Sequence, residues 1–136
     1  MNSRSIGRIV TVNQRGIVAE VYSWIGNYIN TTDGVRFVGE VGSYVSINDV
    51  GRSIIGEIVG VDEKPHLEGN HYSKPNSNRL VNIGLIGEIV GGVFRFGVSK
   101  MPLIFSEVDI ISERNLRTML EVVNDVEIVD EATQST

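Results

Sequence analysis

The residues of this 136-residue chain that could do chemistry include a glycine-rich run, GGVFRFGVSK, at positions 91–100. Gly92 and Gly97 have the spacing of the two glycines in a phosphate-binding P-loop, in which a lysine follows the second glycine. Val98 occupies that position here, and Glu57 occupies it in a second near-match, GRSIIGE. The sequence therefore predicts that this chain does not bind or hydrolyse ATP through a P-loop. It offers no Ser-His-Asp arrangement as an alternative catalytic site.

A second group of candidate residues lies in the stretch DEKPHLEGNHYSKPNSN, at positions 62–78. Its prolines and asparagines predict a long surface loop, a kind of segment that often carries binding residues. His66, Glu68 and His71 are of types that bind metal ions. No helix or strand periodicity places them on one face, so the sequence favours solvated loop residues over a metal site. We expect no metal ion or cofactor in this chain.

A repeated word accounts for several glycines: IIGEIVGV at 54–61 returns as LIGEIVGG at 85–92, with a shorter echo, IGRIV, near the N-terminus. Glycine inside a strand is typical of bulges, sharp coiling or close approach of another backbone. We therefore interpret the word as a device for bending strands in a small barrel. Glu57 and Glu88 follow two of the glycines and could form a carboxylate pair, although strand alternation favours an outward orientation for both. The glycines predicted to be structural are Gly7, Gly56, Gly87, Gly91, Gly92 and Gly97.

Short β-branched runs separated by turn residues fill the chain up to about residue 111. The connection NQRG joins the first two runs as a hairpin, because Gly16 can take a positive φ. Strands and helices do not alternate, which argues against a parallel sheet. We predict an all-β fold, a small closed antiparallel β-barrel of about six to seven strands with one C-terminal helix. The predicted strands cover residues 7–12, 17–22, 35–41, 44–47, 53–62, 80–90, 93–96 and 108–111.

The barrel domain is predicted to span residues 1–111, with a helix at 112–123 leading out of it. Ser112 can cap the N-terminus of this helix. The apolar residues that follow have helical spacing and form one face. Residues 124–136 are acidic and polar and are interpreted as a linker toward a further domain. The predicted apolar face consists of Leu116, Met119, Leu120 and Val123.

Charge is unevenly distributed. Residues 1–106 carry a net charge of +1 and residues 107–136 a net charge of −6. A domain that binds nucleic acid by itself normally has a basic face, which this balance does not supply. Cysteine is absent, and no segment resembles a signal peptide or a membrane-spanning helix. We expect a soluble, cytoplasmic protein that does not associate with membranes.

Aromatic residues collect in the predicted connection YSWIGNYIN at positions 22–30. Tyr22, Trp24 and Tyr28 can either cap the end of the barrel or form a knob that contacts a partner. Both interpretations remain open at the level of the sequence.

The order of these motifs resembles the N-terminal barrel of HerA-type ATPases, and the resemblance covers nearly the whole chain. Its most specific part lies at 86–108, where the family tends to have Ile-Gly, a Gly-Gly pair, an aromatic residue followed by Arg, and Gly-Val-Ser-x-x-Pro. Met101 stands where the family usually has an aromatic residue, and Ser106 where a glycine often makes the turn. The matching residues are Ile86, Gly87, Gly91, Gly92, Phe94, Arg95, Gly97, Val98, Ser99 and Pro102.

The resemblance implies a function that composition does not reveal. In this family a motor domain follows the barrel, binds ATP and Mg²⁺, and forms a hexameric ring that translocates duplex DNA. The barrels support assembly and receive an effector such as a NurA-like nuclease or a sirtuin-like NADase, in DNA-end processing or antiviral defence. This chain is then not itself an enzyme. The alternative is a stand-alone nucleic-acid-binding barrel of OB or SH3 type. The candidate interface residues are Trp24, Tyr28, Phe94, Arg95, Lys100 and Met101.

Overall fold

The computed structural model describes residues 4–64 and 78–134. His66, Glu68 and His71, the candidate metal ligands, lie outside the described residues. Among the described residues, no helix combines the length and the apolar character needed to cross a membrane. The elements are β1 (Ser5–Asn13), β2 (Gly16–Val21), β3 (Tyr28–Thr31), β4 (Gly34–Phe37), β5 (Tyr44–Asp49), β6 (Arg52–Lys64), β7 (Asn78–Val90), β8 (Val93–Phe96), β9 (Glu107–Ile110) and α1 (Glu113–Gln134).

Six of these strands close into an antiparallel barrel. The sheet runs in the order β2-β1-β9-β5-β6-β7-β8, and β2 also pairs with β7, which joins the two sides. Strand β8 lies outside the closed ring and pairs with the end of β7. Strands β3 and β4 form a separate hairpin. The prediction of a small closed antiparallel barrel with one C-terminal helix is confirmed.

Apolar residues fill two regions on opposite faces of the barrel wall. Ile54 and Ile55 are adjacent on β6, and both are fully buried. Because neighbouring strand residues point to opposite faces, Ile54 enters the barrel core while Ile55 lies under the helix. Met119 is the most deeply buried helix residue on that side. The helix therefore covers the outside of the wall.

The two long copies of the repeated word pair with each other. Ile55 lies opposite Gly87, and Gly56 lies opposite Leu85, so Ile86 is an extra residue on β7 and forms a β-bulge. The N–H of Gly97 donates to the carbonyl of Ile86 at 2.9 Å. The word thus encodes a bulge between its two copies, as the bending interpretation predicts.

Gly7, Gly56 and Gly87, which occupy the same place in the three copies of the word, are sites of close approach and have no positive φ. A Cβ on Gly87 would overlap the carbonyl oxygen of Arg95 and lie 2.7 Å from the ring of Phe94. A Cβ on Gly7 would overlap the carbonyl oxygen of Glu20, and a Cβ on Gly56 would overlap the side chain of Ile83. The remaining predicted structural glycines, Gly91, Gly92 and Gly97, have positive φ values of 59°, 79° and 86°.

Three sequence predictions about elements are wrong in detail. Strand β3 lies in the segment that was predicted to be a connection, because four half-exposed residues give no long apolar run. The helix continues to Gln134 rather than ending at 123, since residues 124–134 contain no glycine or proline to stop it. Val122 packs against the barrel side, whereas Leu120 is exposed. That residues 124–136 lead to a further domain stays a prediction.

Candidate interaction surface

The aromatic residues of the 22–30 segment lie on the surface. Trp24 is 75% exposed and stacks in parallel on Tyr22, with ring centroids 4.6 Å apart. Tyr28 is also exposed, at the start of β3. Arg79 fixes the loop between them by donating to the carbonyl oxygens of Ile25 and Gly26, at 2.6 and 2.9 Å. The Trp24 side chain is therefore accessible to a partner, and the loop that carries it is fixed in position by Arg79.

The candidate residues at 94–101 divide into buried and exposed positions. Phe94 is only 3% exposed and packs beneath the helix, so its assignment to an interface is wrong for this form of the chain. Alternation along β8 explains this, since its neighbour Arg95 faces solvent. Lys100 is exposed, and Met101 is half-buried against the barrel core. Arg95 and Lys100 therefore remain surface candidates.

Glu88 is not an outward-facing residue. Its side chain lies next to Arg52, whose Nη1 donates to Glu88 Oε2 at 3.0 Å, and the residue is 9% exposed. The Arg52 hydrogen bond, followed by those from Ser99, lowers the pKa of the Glu88 carboxyl. Glu57 lies opposite Gly84, whereas Glu88 lies opposite Ile54 three residues away along β6, so the two acids do not form a pair. The Glu88 carboxylate serves the structure as half of an ion pair.

Phosphate binding by the glycine-rich run is not supported by its geometry. Residues 93–96 form strand β8 and pair with β7, so the segment between Gly92 and Gly97 is a strand rather than a loop. A P-loop presents successive backbone N–H groups toward one anion, which an extended strand cannot do. Within the described residues, no three His, Asp or Glu side chains gather as a metal site.

Sequence reasoning missed an apolar turn that follows Pro102. We call residues 103–105, with the sequence Leu-Ile-Phe, the apolar turn. Their side chains are 69%, 50% and 65% exposed, respectively. The signal available in the sequence was three large apolar residues in a row outside every predicted strand. Such a cluster of exposed apolar side chains is typical of an interaction site.

The backbone of the apolar turn is fixed to the barrel. The N–H of Phe105 donates to the carbonyl of Ile9 at 2.8 Å, and the N–H of Ile9 donates to the carbonyl of Ser106 at 2.9 Å. The N–H of Ser106 donates to Leu103 at 3.2 Å and closes the turn. Phe105 has a φ of 72°, which costs a residue with a side chain about 1 kcal/mol or more. The Arg8 guanidinium lies 5.2 Å from the Phe105 ring centroid and supports it.

A polar junction centred on Asp33 attaches the β3–β4 hairpin to the rest of the molecule. Asp33 Oδ2 accepts hydrogen bonds from Arg4 Nη2 at 2.6 Å and from the backbone N–H of Glu113 at 3.0 Å. The same Arg4 nitrogen donates to Thr32 Oγ1 at 3.0 Å. One carboxylate therefore joins the N-terminal segment, the hairpin and the first turn of the helix.

This junction predicts a pH-dependent stability. The Glu113 N–H and then the Arg4 side chain lower the pKa of Asp33 below its ordinary 3.8. A carboxyl with a lowered folded pKa contributes stability that is present above its unfolded pKa and is lost as pH falls through the folded value. We expect the melting temperature to fall between about pH 5 and pH 2, and to fall less in Asp33→Asn. Parallel curves for the two proteins, measured by circular dichroism, would contradict this role.

No model of a known protein family matches the chain, and no curated protein matches it.

Proposed function

We propose that this chain is an assembly and partner-docking barrel. It acts as the N-terminal barrel of a HerA-like hexameric, ATP-dependent DNA translocase in the cytoplasm. The ring works with a nuclease or a NADase-type effector, in DNA-end processing or antiviral defence. ATP and Mg²⁺ belong to a motor domain beyond this chain, and DNA is contacted mainly by that domain.

The observation that carries the docking role is the apolar turn. Three large side chains are held in solvent by a backbone that is tied to β1 and strained at Phe105. Strained backbone persists only where the surrounding structure over-determines it, and it concentrates at functional sites. A rigid apolar anchor loses little conformational freedom on binding, which favours affinity. A protein partner is the ligand class that matches such a surface.

The distribution of charge favours this role over the alternative nucleic-acid-binding barrel. Arg8 lies between Glu20 and Glu107 on the two neighbouring strands, and Arg95 lies opposite Glu88. Acidic neighbours reduce the attraction of these cations for phosphates. A single-strand-binding barrel needs a continuous basic groove with stacking aromatics. The mixed pattern is more typical of a protein-binding surface.

The experiment that tests this function uses the longer protein, with its own sequence past Thr136. We expect a Gly-x4-Gly-Lys-Ser/Thr motif in that sequence, ATPase activity, and a hexamer by mass photometry. Chain 1–136 alone is expected to bind duplex DNA weakly in about 150 mM salt, where surface attraction is screened. A longer protein that is monomeric and lacks ATPase activity would overturn the proposal. Duplex binding by 1–136 at about 1 µM in this salt would favour the alternative barrel.

A further inference from the structure

Strand β4 has one edge that its own hairpin leaves open. Among the described strands, β3 and β4 pair only with each other. The N–H of Val38 donates to the carbonyl of Asn27 at 2.9 Å, and this bond fixes the alternation of the ladder. Hydrogen-bonded and non-hydrogen-bonded pairs alternate along antiparallel strands, so Val35 and Phe37 occupy non-hydrogen-bonded positions. Their N–H and C=O groups therefore point away from β3.

These outward backbone groups are available to another chain. They have no hydrogen-bond partner within the part of the chain that the structure describes. Val35 and Phe37 are 57% and 60% exposed, respectively. Because they are two positions apart, their equivalent groups repeat at about 6.6 Å, the repeat of any extended backbone. An exposed edge of this kind is a template for the addition of a strand.

A cavity of about 300 Å³ borders this edge. Residues 35–37 of β4 line it, and none of the four β3 residues does. The barrel and the helix line the other side, through Tyr44, Ile110 and Leu116. Ile29 packs against the barrel core, so one face of the hairpin points toward the barrel. A strand added to β4 would direct every second side chain to that face, and therefore into the cavity.

The cavity determines which side chains fit. A cavity of ~150 Å³ with apolar walls accommodates a benzene ring, so this one has room for one or two large apolar side chains. Glu40 also lines it, and this exposed carboxylate has no ion-pair partner among the described residues. Ser43 donates its hydroxyl to the Glu40 carbonyl at 2.6 Å. A segment with alternating apolar residues and a lysine or arginine near Glu40 complements this lining.

A second copy of β4 does not match this edge. Two β4 strands related by a two-fold axis, and bonded through both Val35 and Phe37, would place their Arg36 residues directly opposite each other. That central pair is non-hydrogen-bonded, so its Cα atoms would be only about 4.5 Å apart. Like charges directly opposite each other destabilise a sheet. The edge therefore favours a segment of a different protein.

We propose that an extended segment of the effector protein adds to the open edge of β4 as a third strand. Its backbone bonds to Val35 and Phe37, its inward apolar side chains enter the cavity, and a basic side chain pairs with Glu40. This inference rests on the docking role in the proposed function and specifies the kind of segment that docks.

Paired proline substitutions test the edge. Val35→Pro removes an outward N–H from β4, and Asn30→Pro removes the outward N–H directly opposite, on β3. Neither N–H takes part in the β3–β4 ladder, and proline is tolerated at such edge positions. Asn30→Pro is the matched control, because the two variants differ in the edge that they block. Melting curves verify that both remain folded.

The probe is a phage-displayed library of random linear peptides of about 12 residues, long enough to supply one strand. We expect selection on chain 1–136 to enrich peptides with alternating apolar residues and a lysine or arginine. In fluorescence-polarisation titrations of these peptides, Val35→Pro is expected to lose about tenfold or more in affinity, and Asn30→Pro to lose none. Glu40→Gln is expected to lose about threefold, as for one exposed ion pair.

Peptide N-methylation tests the strand pairing on the unmodified protein. Methyl groups on the alternate residues that bond to β4 remove its backbone donors and are expected to abolish binding. Methyl groups on the intervening residues, which face away from β4, are expected to leave binding unchanged. The two peptides have the same side chains, so they differ only in the edge that is blocked.

Three results would overturn the inference. These are a selection that enriches no peptide, peptides that bind Val35→Pro as tightly as the wild type, and peptides that tolerate methylation in both registers. Self-association of the chain that Val35→Pro abolishes would identify a second copy as the occupant instead. ATPase activity and a hexamer of the longer protein test the proposed function separately. If both were present and no peptide used β4, only the strand addition would be rejected.

Discussion

Replacing Gly87 with alanine is expected to lower the free energy of unfolding by about 2–3 kcal/mol, a large effect for the addition of one methyl group. The new Cβ would overlap the carbonyl oxygen of Arg95, which belongs to the β7–β8 backbone pairing, and would press on the buried ring of Phe94. Neither group can move without disturbing β8 or the packing under the helix. Urea denaturation measures the change through the shift of its midpoint.

Gly84 is the matched control on the same strand. A Cβ at this position would meet only the side chain of Val59, at an ordinary contact distance of 3.5 Å. Alanine at Gly84 is therefore expected to be neutral or to stabilise by up to about 1 kcal/mol, because it reduces the freedom of the unfolded chain. Equal effects of alanine at Gly84 and Gly87 would show that close approach does not explain the repeated word.

Replacing Ile104 with aspartate in the longer protein is expected to weaken hexamer formation by about tenfold or more. A charge at the centre of an apolar contact must either be buried without a partner or keep the two surfaces apart. ATP hydrolysis by the separated subunits measures whether the motor remains folded. Mass photometry over a dilution series gives the concentration at which rings dissociate.

Val50→Asp provides the matched control, because it places the same new charge on a 97% exposed side chain in the turn between β5 and β6. It is expected to leave ring dissociation unchanged. If Ile104→Asp rings were as stable as Val50→Asp rings, the apolar turn would not lie between subunits of the ring.

The sequence was sufficient to predict the barrel because its strands are bounded by local signals. Val93–Phe96 is β8, as predicted, since the Gly91-Gly92 pair can take the positive φ values that a two-residue hairpin turn requires. In the hairpin of β1 and β2, the Oδ1 of Asn13 accepts hydrogen bonds from the backbone N–H groups of Arg15 and Gly16, so this turn also depends on residues next to one another in the sequence. Both turns depend only on residues that are adjacent in the chain, so they can be predicted from one sequence.

The orientation of Glu88 could not be predicted, because it depends on the bulge at Ile86. Before the bulge, Ile83 faces the barrel core; after it, Ile89 faces the helix side, although both positions are odd-numbered. One extra residue reverses the faces of all later side chains, so Glu88 turns toward Arg52. The bulge results from pairing with a strand thirty residues away, which alternation along β7 alone does not reveal.

The candidate surface was only partly predictable for a related reason. Phe94 and Phe105 are both aromatic residues near glycine or proline, yet one lies in the core and the other in solvent. The difference arises from the helix, which covers β8, and from β1, which holds the apolar turn outward. Asp33 likewise acquires its role from Arg4 and Glu113, both distant in the sequence.

The measurement that tests the central claim most directly is the amide NMR spectrum of ¹⁵N-labelled chain 1–136, recorded from about 20 µM to 1 mM, the range in which a weak contact becomes populated. The account predicts concentration-dependent shifts in the amides of the apolar turn and of Ser106, whose N–H closes the turn. The amide of Val50 should not shift. Spectra that are identical at all concentrations, or shifts confined to other surfaces, would contradict an assembly role for the apolar turn.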